Sequence, residues 1–476
     1  MAELVDAADS KSASSDRVPV QVRMGAPIKK YPQFMWFFFD NFMIYYYWIA
    51  RSEIMDFVTL KEDEFLEYSQ NSPITSFFQQ PLWAKVKEDN GWKHYFVGLK
   101  DNGKIVAATL LLSKSIKFFK TMFYAPRGFL LDYDNFQLLE EFTSGIKKFL
   151  KDKNALFLKI NPYIDYQKRT VDGEVIPDTK RDDLMEELKK LGFVHNGFYI
   201  DQDKKTDLEP RWISVLDLES INSIDDAYKN MRSSTKWRIN NSRKNALEIV
   251  EADSDNLFEF KDLMKHTAER REFVDRPLSY YQNMFKILND KNLVKVLLVK
   301  INFKKLLEIS KENLEDTLRK KNDLKDNARR EKQLKELNLE QERFESKIKT
   351  LEESINEYGE EKIIAGGWYM LYGREVNYLF GASYKQFMKY NSQYLLQYEM
   401  IDYAIKKGYK AFNFYGIDGN FDEKSKGYGL FDFKRGFNAC VHELVGEFDL
   451  VIDKPRYKLY KISFSLYKKI KGIIKR

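Results

Sequence analysis

Residues 302–358 contain no glycine and no proline, and Lys, Glu, Leu, Asn and Arg dominate them. Such a stretch has few solutions other than long helix, because nothing in it breaks the backbone and little in it could fill a core. Leu334, Leu337, Gln341, Phe344, Ile348, Leu351, Ile355 and Tyr358 recur at alternating spacings of three and four, one seam along one helix face. Leu307, Leu314 and Leu318, in the first half, are less regular. Strand-like runs resume directly on both sides. The segment is therefore expected to leave a sheet and re-enter it as an antiparallel helical hairpin, a coiled-coil arm turning near residues 326–331. Two helices of about 28 residues would each reach about 40 Å. A dimerising coiled coil is the alternative, and a monomer or weak dimer is the expected state.

The rest of the chain alternates strand and helix patterns, which gives the α+β class. Apolar runs at 92–100 and 104–113 flank Asp101-Asn102-Gly103, a strong hairpin signal. An amphipathic helix at 135–151 leads to a strand at 155–160, and a second helix at 182–191 leads to a strand at 193–200. The order partly recurs: a strand at 293–301, a hairpin at 362–372 and 375–381 across Gly373-Arg374, a helix at 391–407 and a strand at 410–415. Two copies of one α+β module follow from that order.

Composition excludes several chemistries. One cysteine, Cys440, rules out an internal disulfide framework and any multi-cysteine zinc site. The four histidines are dispersed, without metal-ligand spacing. The expectation is no metal, no cofactor and a reducing, cytoplasmic compartment. Net charge is +7, yet residues 456–476 hold eight basic residues and no acidic one, so the remainder is near neutral. Leu459, Ile462, Leu466, Ile470 and Ile473 recur at helical spacing among those cations, the pattern of a basic amphipathic helix. It packs on the first module or contacts an anionic membrane surface; one apolar stripe serves either purpose.

Residues 1–54 read as a spurious extension. Their first part resembles a translated tRNA gene, and residues 34–50 resemble translated AT-rich spacer. The codons for Arg51-Ser52-Glu53-Ile54 can form a ribosome-binding site, which puts the expected start at Met55. The competing reading, a signal anchor at 34–50, is short for a span and contains Asp40.

Six motifs, taken in order, carry a resemblance: FFQQPLWAKVK (77–87), YAPRGFLLDYD (124–134), ERREFVDRPLSYY (269–281), NYLFGAS (377–383), FNFYGIDGNF (412–421) and YGLFDFKRGF (428–437). Together they are similar to the Fem family of peptidoglycan aminoacyltransferases. The resemblance implies two tandem GNAT-like domains. The first would span 55–205 and be completed by 446–476; the second would comprise 206–301 and 359–445, with the arm at 302–358. It implies transfer of an amino acid from aminoacyl-tRNA to an amine of lipid II or a UDP-linked muropeptide, at the inner face of the cell membrane.

Aminolysis of an ester needs positioning, a donor at the oxyanion and a neutral amine, but no enzyme nucleophile. By the resemblance, Phe433 and Lys434 take the catalytic position, with Lys434 as the oxyanion donor. Lys87, Arg276, Tyr280, Arg127 and Phe380 take substrate-binding positions. Lys85, two residues from Lys87, leaves that assignment open to a slip. Arg127 either positions the acceptor or braces its loop. Lys236, Trp237 and Arg238 suit tRNA contact, by charge and by stacking. Two positions depart from the family: Asn161 stands where many relatives have Asp, and Phe380 where some have Tyr. An amide cannot accept a proton as a carboxylate does, so no general base is named. The alternatives are a CoA-dependent N-acyltransferase, for which no Gly-rich pyrophosphate turn is found, and a non-catalytic scaffold.

Overall fold

In the computed structural model, residues 55–198, 208–324 and 329–474 are described, with side chains to residue 466. Residues 1–54 lie outside the described residues, and so does the reading of them as an extension.

Strand β1 (Met55–Thr59) and helices α1 (Glu62–Asn71) and α2 (Pro81–Glu88) precede the hairpin β2 (Lys93–Asp101) and β3 (Lys104–Ser115). It turns on Asn102 at φ 48° and Gly103 at φ 80°, the pair of positive φ values that a tight hairpin requires. Then come β4 (Thr121–Ala125), α3 (Phe136–Asp152), β5 (Ala155–Ile160), β6 (Asp165–Lys168), α4 (Asp182–Lys190) and β7 (Phe193–His195). Asn135 caps α3 by accepting from the Leu138 amide, and Leu139, Phe142, Ile146 and Leu150 make its buried stripe. The strand expected at 193–200 is shorter, ending at His195 with one further bond from the Asn196 amide to the Glu447 carbonyl (2.9 Å); residues 199 and 200 lie outside the described residues.

The second half holds β8 (Trp212–Asp217), α5 (Ile224–Asn230), α6 (Ser233–Ser242), β9 (Leu247–Glu251), α7 (Leu257–Arg271), α8 (Leu278–Asn289) and β10 (Val294–Asn302). After α9 (Phe303–Asn322) and α10 (Arg330–Tyr358) follow β11 (Glu361–Tyr372), β12 (Glu375–Ser383), α11 (Ser392–Lys406), β13 (Ala411–Ile417), α12 (Tyr428–Arg435), β14 (Cys440–Leu444), β15 (Phe448–Val451) and α13 (Lys454–Ile474).

Two mixed sheets result. The first runs β1-β2-β3-β4-β5-β15-β7; the second, from its corresponding edge, runs β9-β10-β11-β12-β13-β8-β14-β6. Each has one parallel pair, β4 with β5 and β12 with β13, joined by a crossover helix, α3 or α11. An antiparallel strand then follows on the far side, β15 in one sheet and β8 in the other. The plan is therefore one module used twice, and the class is the expected α+β.

Helices α9 and α10 enter between β10 and β11 and form the antiparallel hairpin. Lys321 reaches Gln341 (3.1 Å) and Lys311 reaches Glu352 (3.3 Å), so the partner number rises as the other falls. The two helices are unequal, 20 and 29 residues, because the first ends at Asn322-Asp323. The residues of α10's seam are all half-buried or buried. Leu318, by contrast, points outward; α9 turns Phe303, Leu306, Ser310 and Thr317 inward instead.

Candidate active site

Helix α2 begins on a prepared cap: Gln80 Oε1 accepts from the Leu82 and Trp83 amides, and Pro81 occupies the first turn. Trp83 and Val86 face the core. Lys85 pairs outward with Glu62 at 2.9 Å, whereas Lys87 folds back over the Trp83 ring, 4.2 Å from its centroid. Of the two lysines, Lys87 is the one turned into the cleft. Burial pushes its ammonium down to about 8; Glu209 draws it up and Arg276 pushes it further down.

Helix α2 packs against α8. Pro277 caps α8 at φ −66°, which sets Arg276 at its threshold. The Arg276 amide donates to Asp275 Oδ1 (2.7 Å), and the same oxygen accepts from Tyr281 Oη (2.8 Å). The Arg276 guanidinium lies 5.6 Å from the Tyr280 ring centroid. Burial raises the Tyr280 hydroxyl; Arg276 opposes that and Glu209 adds to it. Phe380 stands edge-on to Tyr281 at 5.9 Å and next to Trp368 at 6.4 Å, so it belongs to the aromatic floor under α8.

Glu209 is the member of this group that sequence patterns do not reveal. It accepts a hydrogen bond from Tyr415 Oη, and its charge reaches Lys87, Tyr280, Tyr124 and Tyr415. Those partners come from distant parts of the chain. Tyr415 turns out of its strand at a bulge, where the pairing of β13 with β8 shifts register between Asn413 and Gly416 and Tyr415 takes φ 67°. Pro210, next to Glu209, is held from the opposite side: buried Arg127 donates from Nη2 to its carbonyl at 2.7 Å. Arg127 itself sits at φ 55°, fixed by its amide donating to Asn161 Oδ1 (2.8 Å), which also accepts from Tyr124 Oη (3.3 Å). The geometry thus gives Arg127 the bracing task. Asn161 serves as an acceptor for the loop, and its buried Nδ2 has no hydrogen-bond partner. A carboxylate facing a lysine and tyrosines is a group that can pair with an ammonium.

On the other side of the bulge, Lys434 lies on α12, 3% exposed, and donates from Nζ to the Gly416 carbonyl at 2.7 Å. Phe431 and Phe437 are buried around it, and Phe433 stands edge-on to Tyr394 at 4.9 Å. A Cβ on Gly436 would come within 2.2 Å of Thr235 Oγ1; without one, α12 closes on α6, and the Arg232 amide donates to the Gly436 carbonyl (2.9 Å). Helix α6 carries the basic run. Trp237 is 63% exposed, Arg238 lies over Tyr394 (5.1 Å), and Lys236 donates to the Lys229 carbonyl (2.7 Å). Arg238 and Phe433, the chain neighbour of Lys434, thus meet at Tyr394, which also stacks on Phe437.

A tandem α+β scaffold with a buried lysine at a strand bulge and a cationic, tyrosine-lined cleft beside it describes an acyl-transfer enzyme. Residues 60–464 match the FemAB family. Aminoacyltransferase FemA of Staphylococcus epidermidis is 33% identical over 418 residues, covering 86% of this chain and 98% of that protein. FemA of Staphylococcus aureus is 32% identical over 415 residues, covering 85% and 97%. The crystal structure of FemX superposes with a TM-score of 0.69 at 25% identity, over 85% of this chain and 99% of FemX. The chain belongs to the FemAB family, aminoacyltransferases that add amino acids to peptidoglycan precursors.

Proposed function

We propose that the enzyme takes its amino acid from aminoacyl-tRNA and joins it to an amine of lipid II or of a nucleotide-linked muropeptide. The observation that carries this reading is the two-sided β13 bulge: Lys434 on Gly416 at one face, Glu209 on Tyr415 at the other. The Gly416 carbonyl oxygen stands where an oxyanion would collect the Lys434 ammonium. On the second face, Lys87 and Arg276 meet the phosphate or carboxylate of the acceptor, Tyr280 and Phe380 flank it, and Arg127 holds the wall. The tRNA end approaches over α6, with Arg238 and Lys236 facing phosphate and Trp237 offering a stacking surface. The acceptor amine loses a proton and attacks the ester carbonyl, Lys434 stabilises the oxyanion, and the ribose oxygen leaves carrying a proton. Transfer of radiolabel from several charged tRNAs to lipid-linked and nucleotide-linked acceptors tests the reading. Transfer from acyl-CoA but from no charged tRNA would refute it.

Arg276→Ala raises the KM for acceptor about tenfold to hundredfold, the value of about 1.5–3 kcal/mol for a charge-assisted contact, and Tyr280→Phe raises it less. An effect confined to the KM for tRNA would reverse the assignment of the two faces.

Lys87 supplies pH dependence. Its ammonium is present below about 8 and lost above it in the free enzyme, so the acceptor KM climbs as pH passes that value. Lys87→Arg, which stays charged, flattens the climb. A wild-type KM unchanged from pH 7 to 9 removes Lys87 from acceptor binding.

Basic α13 keeps the enzyme against the anionic inner leaflet, where a lipid-linked acceptor lies. Among the described residues, no helix is long and apolar enough to cross a membrane.

A further inference from the structure

The loop between β3 and β4, residues 116–120, carries Phe118 at its tip. Phe118 is 91% exposed and sits at φ 68°, a left-handed conformation that a bulky side chain adopts at a cost. Neither burial nor backbone preference accounts for a phenylalanine there. The turn is closed by the Phe119 amide donating to the Ile116 carbonyl (2.8 Å), so the ring is displayed on an ordered loop.

This loop is fastened to α13 at two points. Phe119 stands edge-on to Tyr460 at 5.6 Å, and Lys120 pairs with Asp453, at the head of the helix, at 3.0 Å. Helix α13 grips the first sheet through Tyr457, whose hydroxyl donates to Asp449 (2.5 Å), and through Tyr460, which lies against Phe157 (5.6 Å). Leu459, Ile462 and Leu466 are on a different face and remain 59%, 51% and 55% exposed. Over Leu459, Ile462 and Leu466 the apolar stripe read in the sequence is therefore not the side that packs. Lys117 lies over the Phe118 ring at 5.1 Å, and Lys458 flanks the stripe. Exposed apolar groups set among cations match a bilayer whose headgroups are anionic.

We propose that Phe118 and the Leu459–Ile462–Leu466 face of α13 form one two-point membrane anchor, with Phe118 entering the headgroup–acyl boundary of an anionic leaflet. This rests on the membrane contact proposed above and adds a second, sequence-distant attachment. Two points fix the orientation of the enzyme as well as its presence, which a single helix lying in the interface does not.

Sedimentation of the full chain with vesicles of phosphatidylglycerol and phosphatidylcholine, against phosphatidylcholine alone, tests this. Wild type is expected to bind the anionic vesicles. Phe118→Ser is expected to bind about tenfold more weakly, from loss of one partly buried aromatic side chain. Leu459→Ser with Ile462→Ser, which spares Tyr457 and Tyr460, is expected to weaken it further. Transfer to a nucleotide-linked acceptor in solution stays at wild-type rate in Phe118→Ser, which certifies its fold. Binding by wild type that Phe118→Ser does not change overturns the loop's part alone. Absence of wild-type binding at low salt, or equal binding to both vesicle types, overturns the anchor together with the membrane reading.

Discussion

Lys434→Met is expected to lower transfer about 10²–10³-fold, the loss of about 2.7–4 kcal/mol that follows removal of one oxyanion donor. The lysine is 3% exposed, so a methionine of similar length suits the site, and the protein remains folded by circular dichroism and thermal melting. The loss should fall on kcat, since the contact to a charged oxygen exists only once that charge has developed. Nucleotide-linked acceptor and a saturating charged tRNA give the cleanest measurement. A folded Lys434→Met enzyme within about threefold of wild type would remove the residue from the mechanism. A change in tRNA KM alone would make it a binding residue.

Glu443→Ala is expected to cost about 3–5 kcal/mol of stability. Glu443, on β14, accepts from Arg169 Nε at 2.5 Å and from Arg211 Nη2 at 2.5 Å, and both guanidiniums lie over Trp212, at 4.9 and 5.0 Å. Arg211 and Glu443 are 5% and 6% exposed. Removing the carboxylate leaves two like charges near one indole with little water to screen them. The trio also ties β6 and β8 to the two sides of β14, so the outer edge of the second sheet loosens. Urea denaturation of wild type and variant reads the difference. A change below about 1 kcal/mol would mean that the arginines find water or other partners.

Periodic apolar patterns located the two hairpins, the crossover helices and the seam of α10, because in each the buried face is written in large apolar side chains. Helix α9 defeated that reading for a physical reason. Its inward positions include Ser310 and Thr317, whose hydroxyls bond back to the Leu306 and Asn313 carbonyls, so a packed face carries no hydrophobic signature. The short strands β6, β14 and β15 were equally silent, being held by neighbours far away in the chain. Lys87 and Lys85 were indistinguishable until helix α2 had a direction in space. Lys434, Arg276 and Tyr280 stood out in the sequence through the motifs around them. Glu209 did not, since it acquires its setting only when residues 87, 280 and 415 converge on it. Asn161 is an instructive case: the departure from relatives was visible, but its service as an acceptor for the Arg127 amide was not.

The place of β15 has a consequence for biosynthesis. Among the described residues, strand β7 pairs with β15 alone, and β15 separates it from β5. When His195 emerges from the ribosome, the other strands of that sheet exist, yet the strand that joins them is encoded about 250 residues later. At about 5–20 residues per second, β5 waits for tens of seconds with an open edge. The half of the protein made first is therefore the last to close, and a chain terminated anywhere upstream of Cys440 leaves both sheets unfinished.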